Sequence, residues 1–230
     1  MRTLTRIKQS LASRLGVLVR LQRFLYRFKP YRAKFRAYYL DQGWGDLESV
    51  SGPGSTLDAT REIRKRVPAL FKELKIRSVV DVACGDFNWM KTVNLEGIDY
   101  RGYDIVPELI AANTVKYGRD HVSFGCIDIV KDELPRADLI LCRDCLIHYP
   151  DRHVIEIIWN MKRSGSTYLL TTTFTEQDRN EEIETVGRFR RINLEKPPFG
   201  FPRPLALIEE GTHRGKSLGL WRLGEIPLRP

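Results

Sequence analysis

Between residues 78 and 174 short apolar runs alternate with helical segments, and four of the runs lead into a carboxylate. Ser78–Val82 carries Asp81 and enters a turn of small residues. Tyr100–Asp104 ends on Asp104, Val122–Asp128 on Asp128, and Ala137–Cys142 passes into Arg143 and Asp144. Thr167–Thr173 is a fifth run. Pro107–Tyr117, with proline in its first turn, and Asp151–Arg163 read as helices. Strands alternating with helices predict a parallel sheet with helices on both faces. The almost wholly apolar Asp138-Leu-Ile-Leu-Cys142 suits a central parallel strand, buried on both sides. Leu205–Ile208 and Ser217–Leu223 read as two closing strands. The expected fold is therefore a doubly wound, mostly parallel α/β sheet of seven strands. The glycine- and serine-rich stretch 44–55 reads as a loop, with Ser55 or Thr56 capping a helix that runs to about Leu74.

Charge divides the chain in two. Residues 1–40 hold eleven Lys or Arg and no acid; taking that +11 from the total of +9 leaves about −2 for residues 41–230. We therefore expect a basic extension over 1–40 and one domain over 41–230. Leu4, Ile7, Leu11, Leu18, Leu21, Leu25 and Phe28 fall on one helical face among arginines. Such a helix suits a basic arm, peripheral contact with an anionic membrane or, less well, a phosphate backbone. No apolar run has the length of a signal-peptide core or a membrane span. A cytoplasmic, reducing setting with free thiols is expected. Cys142-Arg-Asp-Cys145 has C-x-x-C spacing, with Cys84 and Cys126 at the same sheet edge. Zinc sites usually carry two such pairs, so no metal is expected.

In an open parallel sheet, ligands bind at the carboxyl ends of the strands. The turn Asp81-Val-Ala83-Cys84-Gly85-Asp-Phe87 allows close backbone approach, and a following helix would offer free N–H groups. Asp104 lies at the spacing of a carboxylate that accepts from a ribose diol. Asp128 can accept from an adenine amino group, with Ile105 and Ile129 on the two faces of the ring. His148 follows the fourth run and, titrating near neutrality, is the first candidate for a base; Asp144 is the second. Arg188, Arg190 and Asn193 are expected to border an acceptor bearing phosphate or carboxylate.

Val79-Val-Asp81-Val-Ala83-Cys84-Gly85 resembles the first motif of class I S-adenosylmethionine-dependent methyltransferases, and Asp104, Asp128 and the 138–148 segment follow in the same register. The resemblance covers residues 78–174 and implies a Rossmann-like methyltransferase sheet with S-adenosylmethionine as cofactor. Asp81, Ala83, Cys84 and Gly85 would shape the methionine pocket. Asp104 would hold the ribose, Asp128 would reach the adenine, and Arg143 would line the floor of the site beside the sulfonium. Ala83 and Phe87 stand where the family usually has glycine, and a Pro-rich loop replaces the helix before the sixth strand. The implied activity is methyl transfer to a small-molecule, glycan or lipid-linked acceptor. The alternatives are an RNA methyltransferase tethered by the basic arm and a non-catalytic cofactor-binding module. A nicotinamide enzyme is disfavoured because the three-glycine fingerprint is missing at 81–87. Oligomeric state is not legible.

Overall fold

The computed structural model describes residues 31–227. The amphipathic pattern over 4–28 lies outside the described residues. Seven strands form one sheet in the order β3-β2-β1-β4-β5-β7-β6. They are β1 (Ser78–Val82), β2 (Asp99–Asp104), β3 (Val122–Cys126), β4 (Leu139–Cys142), β5 (Tyr168–Phe174), β6 (Ala206–Glu209) and β7 (Lys216–Arg222). β1 pairs in parallel with β2 and β4, β2 with β3, and β4 with β5; β7 runs antiparallel to both β5 and β6. The chain order reverses between β1 and β4, where a crevice opens at the carboxyl ends of an open α/β sheet.

The helices are α1 (Tyr31–Leu40), α2 (Arg61–Glu73), α3 (Pro107–Tyr117) and α4 (Asp151–Arg163). Successive strand residues alternate between two cores. Val80, Val82, Ile140 and Cys142 join Val154, Ile157, Ile158 and Met161 of α4 on one face. Val79, Leu139, Leu141 and Leu170 join Ile63, Val67, Leu70 and Phe71 of α2 on the other. This two-residue period, apolar at every position of β4, makes β4 the central strand. α3 and α4 span the residues expected from sequence. Pro107 opens α3 where its missing N–H costs nothing, and Lys162 and Arg163 complement the carbonyl end of α4.

Two expectations are corrected. The helix after β1 does not form: the link to β2 holds one short turn, Met90–Thr92. Phe87 takes a left-handed φ of 59° and buries its ring against Tyr100, Tyr117 and Phe124. That aromatic cluster, with Trp89 and Met90, fills the space a helix would cover. Second, neither Ser55 nor Thr56 caps α2, whose cap is Thr60; Ser55 closes a short turn over Pro53–Ser55, and Thr56 Oγ1 receives the Ala59 N–H within the preceding loop. α1 packs on this sheet, with Phe35 buried in the core and Tyr31 against Tyr149 and His153.

Among the described residues no helix is long and apolar enough to cross a membrane, and none connects β5 to β6.

Candidate functional site

A cavity of about 410 Å³ opens at the carboxyl ends of β1, β2 and β4. Its floor begins at the turn after β1. Ala83 and Gly85 both adopt left-handed conformations, φ 61° and 57°. A left-handed alanine costs roughly 1–2 kcal/mol, so the turn keeps the backbone path of a glycine motif despite the Ala83 methyl. At Gly85 a Cβ would lie 2.2 Å from Ser51 Oγ, and only glycine admits the loop that closes over it.

That loop is held at both ends. The Asp86 carboxylate accepts from Ser49 Oγ, Val50 N and Ser51 Oγ at 3.0–3.1 Å. Ser51 Oγ also accepts from Asp86 N. Arg143 Nη2 donates to the carbonyl of Gly54 at 2.8 Å. Val50 to Ser55 thereby join the cavity wall.

Asp104 lines the cavity at the end of β2. It accepts from Gly85 N at 3.2 Å and Val106 N at 3.1 Å. Burial raises its pKa, partly offset by these N–H groups. Ile105, Ile127 and Ile129 continue the wall. The ends of β1, β2 and β4 thus form a cradle with a carboxylate facing an apolar slot, which fits a nucleoside diol beside a flat base.

Asp81, Cys84 and Asp128 do not line this wall. Asp81 is buried behind it, accepting from Tyr100 Oη at 2.5 Å, and burial lifts its pKa to about 7. Cys84 is buried too, with its N–H bonded to the Tyr103 carbonyl. The Asp128 carboxylate turns back on its own loop, to Val130 N.

At the end of β4 a group of charges is drawn together from distant segments. Arg143 makes a two-pronged pair with Glu210, Nε to Oε1 at 3.0 Å and Nη2 to Oε2 at 2.6 Å. Lys216 Nζ bridges Asp144 Oδ2 at 2.7 Å and Glu210 Oε2 at 3.0 Å. Burial alone would push the Asp144 pKa up; Arg143 and Lys216 reverse this and hold it at about 2.

His148 also lines the cavity, between the rings of Trp44 and Phe189. Its Nδ1 lies 3.3 Å from the Arg188 carbonyl. A carbonyl only accepts, so Nδ1 carries the proton and Nε2 keeps its lone pair in the neutral ring. Burial lowers the His148 pKa, against the pull of Asp144.

Arg190 and Asn193, expected at the acceptor, are turned inward and lie off the cavity wall. Arg190 donates to the carbonyls of Glu181 and Tyr149 and pairs with Asp151 at 2.5 Å. Asn193 donates to the carbonyls of Thr175 and Gln177. Both hold the helix-free loop between β5 and β6 in shape. Arg188 is exposed, and only its backbone reaches the site, through His148. Sequence reasoning passed over Phe35, Tyr39, Glu210 and Lys216. The available signal was the four-residue spacing of Phe35 and Tyr39 on one helix face.

Cys84, Cys142 and Cys145 are buried free thiols, and Cys126 is an exposed one. Among the described residues no group of three or more His, Cys, Asp or Glu is arranged to hold a metal ion.

No protein-family profile and no curated protein sequence matches the chain. Solved structures do. Human N-acetylserotonin methyltransferase in complex with S-adenosylmethionine superposes with a TM-score of 0.58 at 17% identity, over 84% of this chain and 60% of that one. The chain thus spans less than two thirds of that protein. Magnesium protoporphyrin IX methyltransferase from Synechocystis PCC 6803 with bound S-adenosylhomocysteine gives 0.57 at 15% identity, over 83% of this chain and 97% of that one. The methyltransferase domain of bacterial CtHen1 gives 0.51 at 12% identity, over 70% and 98%. Strand order, the single antiparallel strand β7 and these superpositions agree: the chain has the class I S-adenosylmethionine-dependent methyltransferase fold.

Proposed function

We propose that the protein transfers a methyl group from S-adenosylmethionine to a small molecule bearing a hydroxyl or amino group. One observation carries the reading: a single cavity is lined by the left-handed Ala83–Gly85 turn, by Asp104 and by His148 with an unprotonated Nε2. A cradle, a carboxylate and a base meet where the sheet order reverses.

The residues fit the cofactor. The Ala83–Gly85 turn and the Val50–Ser55 loop would enclose its methionine part. Asp104 would accept from the ribose hydroxyls, and Ile105, Ile127 and Ile129 would flank the adenine. Asp128 is proposed at the adenine edge only through its backbone neighbours, since its carboxylate is engaged within its own loop. Bound there, the cofactor supplies a methyl carbon already activated by its sulfonium, so the protein's part is to position the acceptor and receive its proton.

His148 is suited to that second task. Its tautomer is fixed by the Arg188 carbonyl, burial keeps it neutral at pH 7, and its free nitrogen takes the acceptor's proton. Asp144 is ionised and tied to Lys216, so it acts by its charge rather than by accepting a proton. Phe35, Tyr39, Trp44 and Phe189 give the acceptor an apolar, aromatic wall. A volume of about 410 Å³ is near the low end for sites that bury a small ligand, roughly 300–1,000 Å³. A glycan or lipid-linked acceptor would therefore insert only its terminal group. Methyl transfer from labelled S-adenosylmethionine to a panel of small hydroxyl and amino compounds tests the reading. Label moves to an acceptor with the wild type and not with His148→Ala; transfer undiminished in that variant would remove His148 from its role.

A further inference from the structure

Arg143, Lys216, Asp144 and Glu210 form a closed group of two cations and two anions. Arg143, Glu210 and Lys216 are buried, at 7%, 3% and 4% exposure. Burying an ion costs several kcal/mol unless it is fully paired. Arg143 already has a neighbouring anion in Asp144 at 3.3 Å and a carbonyl acceptor in Gly54. The second cation and second anion come from the β6–β7 hairpin, more than sixty residues away in the chain. Together they bring the sum of formal charges to zero in a cavity wall that Arg143, Asp144 and Lys216 all line.

We infer that Glu210 and Lys216 set the preference of this cavity for the positively charged S-adenosylmethionine over its neutral product S-adenosylhomocysteine. The inference rests on the reading of the cavity as the site of that cofactor. With all four side chains in place, a sulfonium meets no net repulsion from the group. Without Glu210 the group carries +1, and without Lys216 it carries −1. Asp144 keeps Arg143 as a partner at 3.3 Å in either case. The two adenosyl compounds share every other polar group, so the ratio of their affinities separates charge from cavity shape and from the general integrity of the loop. One unit charge acting on another within about 10 Å at an effective dielectric near 20 is worth on the order of tenfold in affinity. Glu210 acts here as a positioning residue: it does not line the cavity and works through Arg143 and Lys216.

The test is calorimetric titration of the full chain with both compounds, at one pH and ionic strength. The proteins are wild type, Glu210→Gln, Lys216→Met and the double variant, each checked for folding by circular dichroism. The preference for S-adenosylmethionine falls on the order of tenfold in Glu210→Gln and rises by a similar factor in Lys216→Met. It returns to within about threefold of wild type in the double variant, where the charges again sum to zero. If one single variant does not fold, the direction of the other decides. A ratio unchanged by the substitutions, or moved the same way by both, overturns the inference while leaving the cofactor reading intact. A folded wild type that binds neither compound overturns the cofactor reading itself.

Discussion

The two sides of the cavity are built differently. The cofactor side is made of strand ends: Ala83 and Gly85 after β1, Asp104 after β2, Arg143 and Asp144 after β4. The sheet register fixes their positions, with Val79 opposite Leu139 and Val82 opposite Tyr103. The side proposed for the acceptor is assembled from pieces without a common scaffold: α1, Trp44, the turn at His148 and Phe189 of the β5–β6 connection. A rigid half that holds one ligand in a fixed place and a composite half that can be remade is an arrangement in which one chemistry serves many acceptors.

The sharpest way to break this division is to cut each side and ask what fails. On the acceptor side, His148→Ala should lower turnover by about 10²–10⁴, the usual worth of a positioned base, while S-adenosylmethionine binds as before. In the wild type the rate should hold at neutral pH and fall only as pH drops below the ordinary imidazole value, because burial lowers the His148 pKa. Loss of cofactor binding in this variant would show that the halves are not separable.

Behind the cofactor side, Asp81 gives the next largest effect. Its folded pKa of about 7 stands above the ordinary 3.8. The folded chain therefore keeps a proton that the unfolded chain releases, and stability declines as pH rises from about 4 to about 7, then levels. Three pKa units set an upper scale of about 4 kcal/mol for that decline. Denaturant titrations across this range should flatten in Asp81→Asn. A slope equal to wild type would place the titration elsewhere.

Asp86→Ala removes the carboxylate that fastens Ser49, Val50 and Ser51. A loss of about 1–3 kcal/mol in folding stability is expected, along with faster release of bound cofactor by stopped flow. Unchanged release would mean that the loop does not close the site. The smallest effect belongs to Ala83→Gly. Glycine relieves the left-handed strain but adds unfolded-chain entropy, so a gain between zero and about 1 kcal/mol is expected by thermal melting.

The same division explains what could be read from the sequence. Strand ends are local: an apolar run and the carboxylate beside it sit in one stretch of chain, so Asp104, Ile105, Ile129 and Arg143 could be picked out without knowing the fold. α3 and α4 were legible because Pro107 and Asp151 mark their starts. The Lys216–Asp144 pair spans 72 residues and the Arg143–Glu210 pair 67, and nothing in either local sequence announces its partner. Arg190 and Asn193 misled for the opposite reason. Polar residues in a Pro-rich loop look available, but a loop of about thirty residues lacking helix needs internal donors for its carbonyls, and these two supply them. At Phe87 an aromatic cluster prevailed over the helix expected after the first strand.

The central claim is that the strand-end cradle binds an adenosyl cofactor through Asp104. Calorimetric titration of wild type and Asp104→Asn with S-adenosylmethionine tests it directly. The asparagine can still accept from Gly85 N but loses the charge that strengthens a ribose contact. A charge-assisted hydrogen bond contributes about 1.5–3 kcal/mol, so binding should weaken by at least about tenfold with folding retained. Equal affinity in the two proteins, or no binding by a folded wild type, would contradict the account.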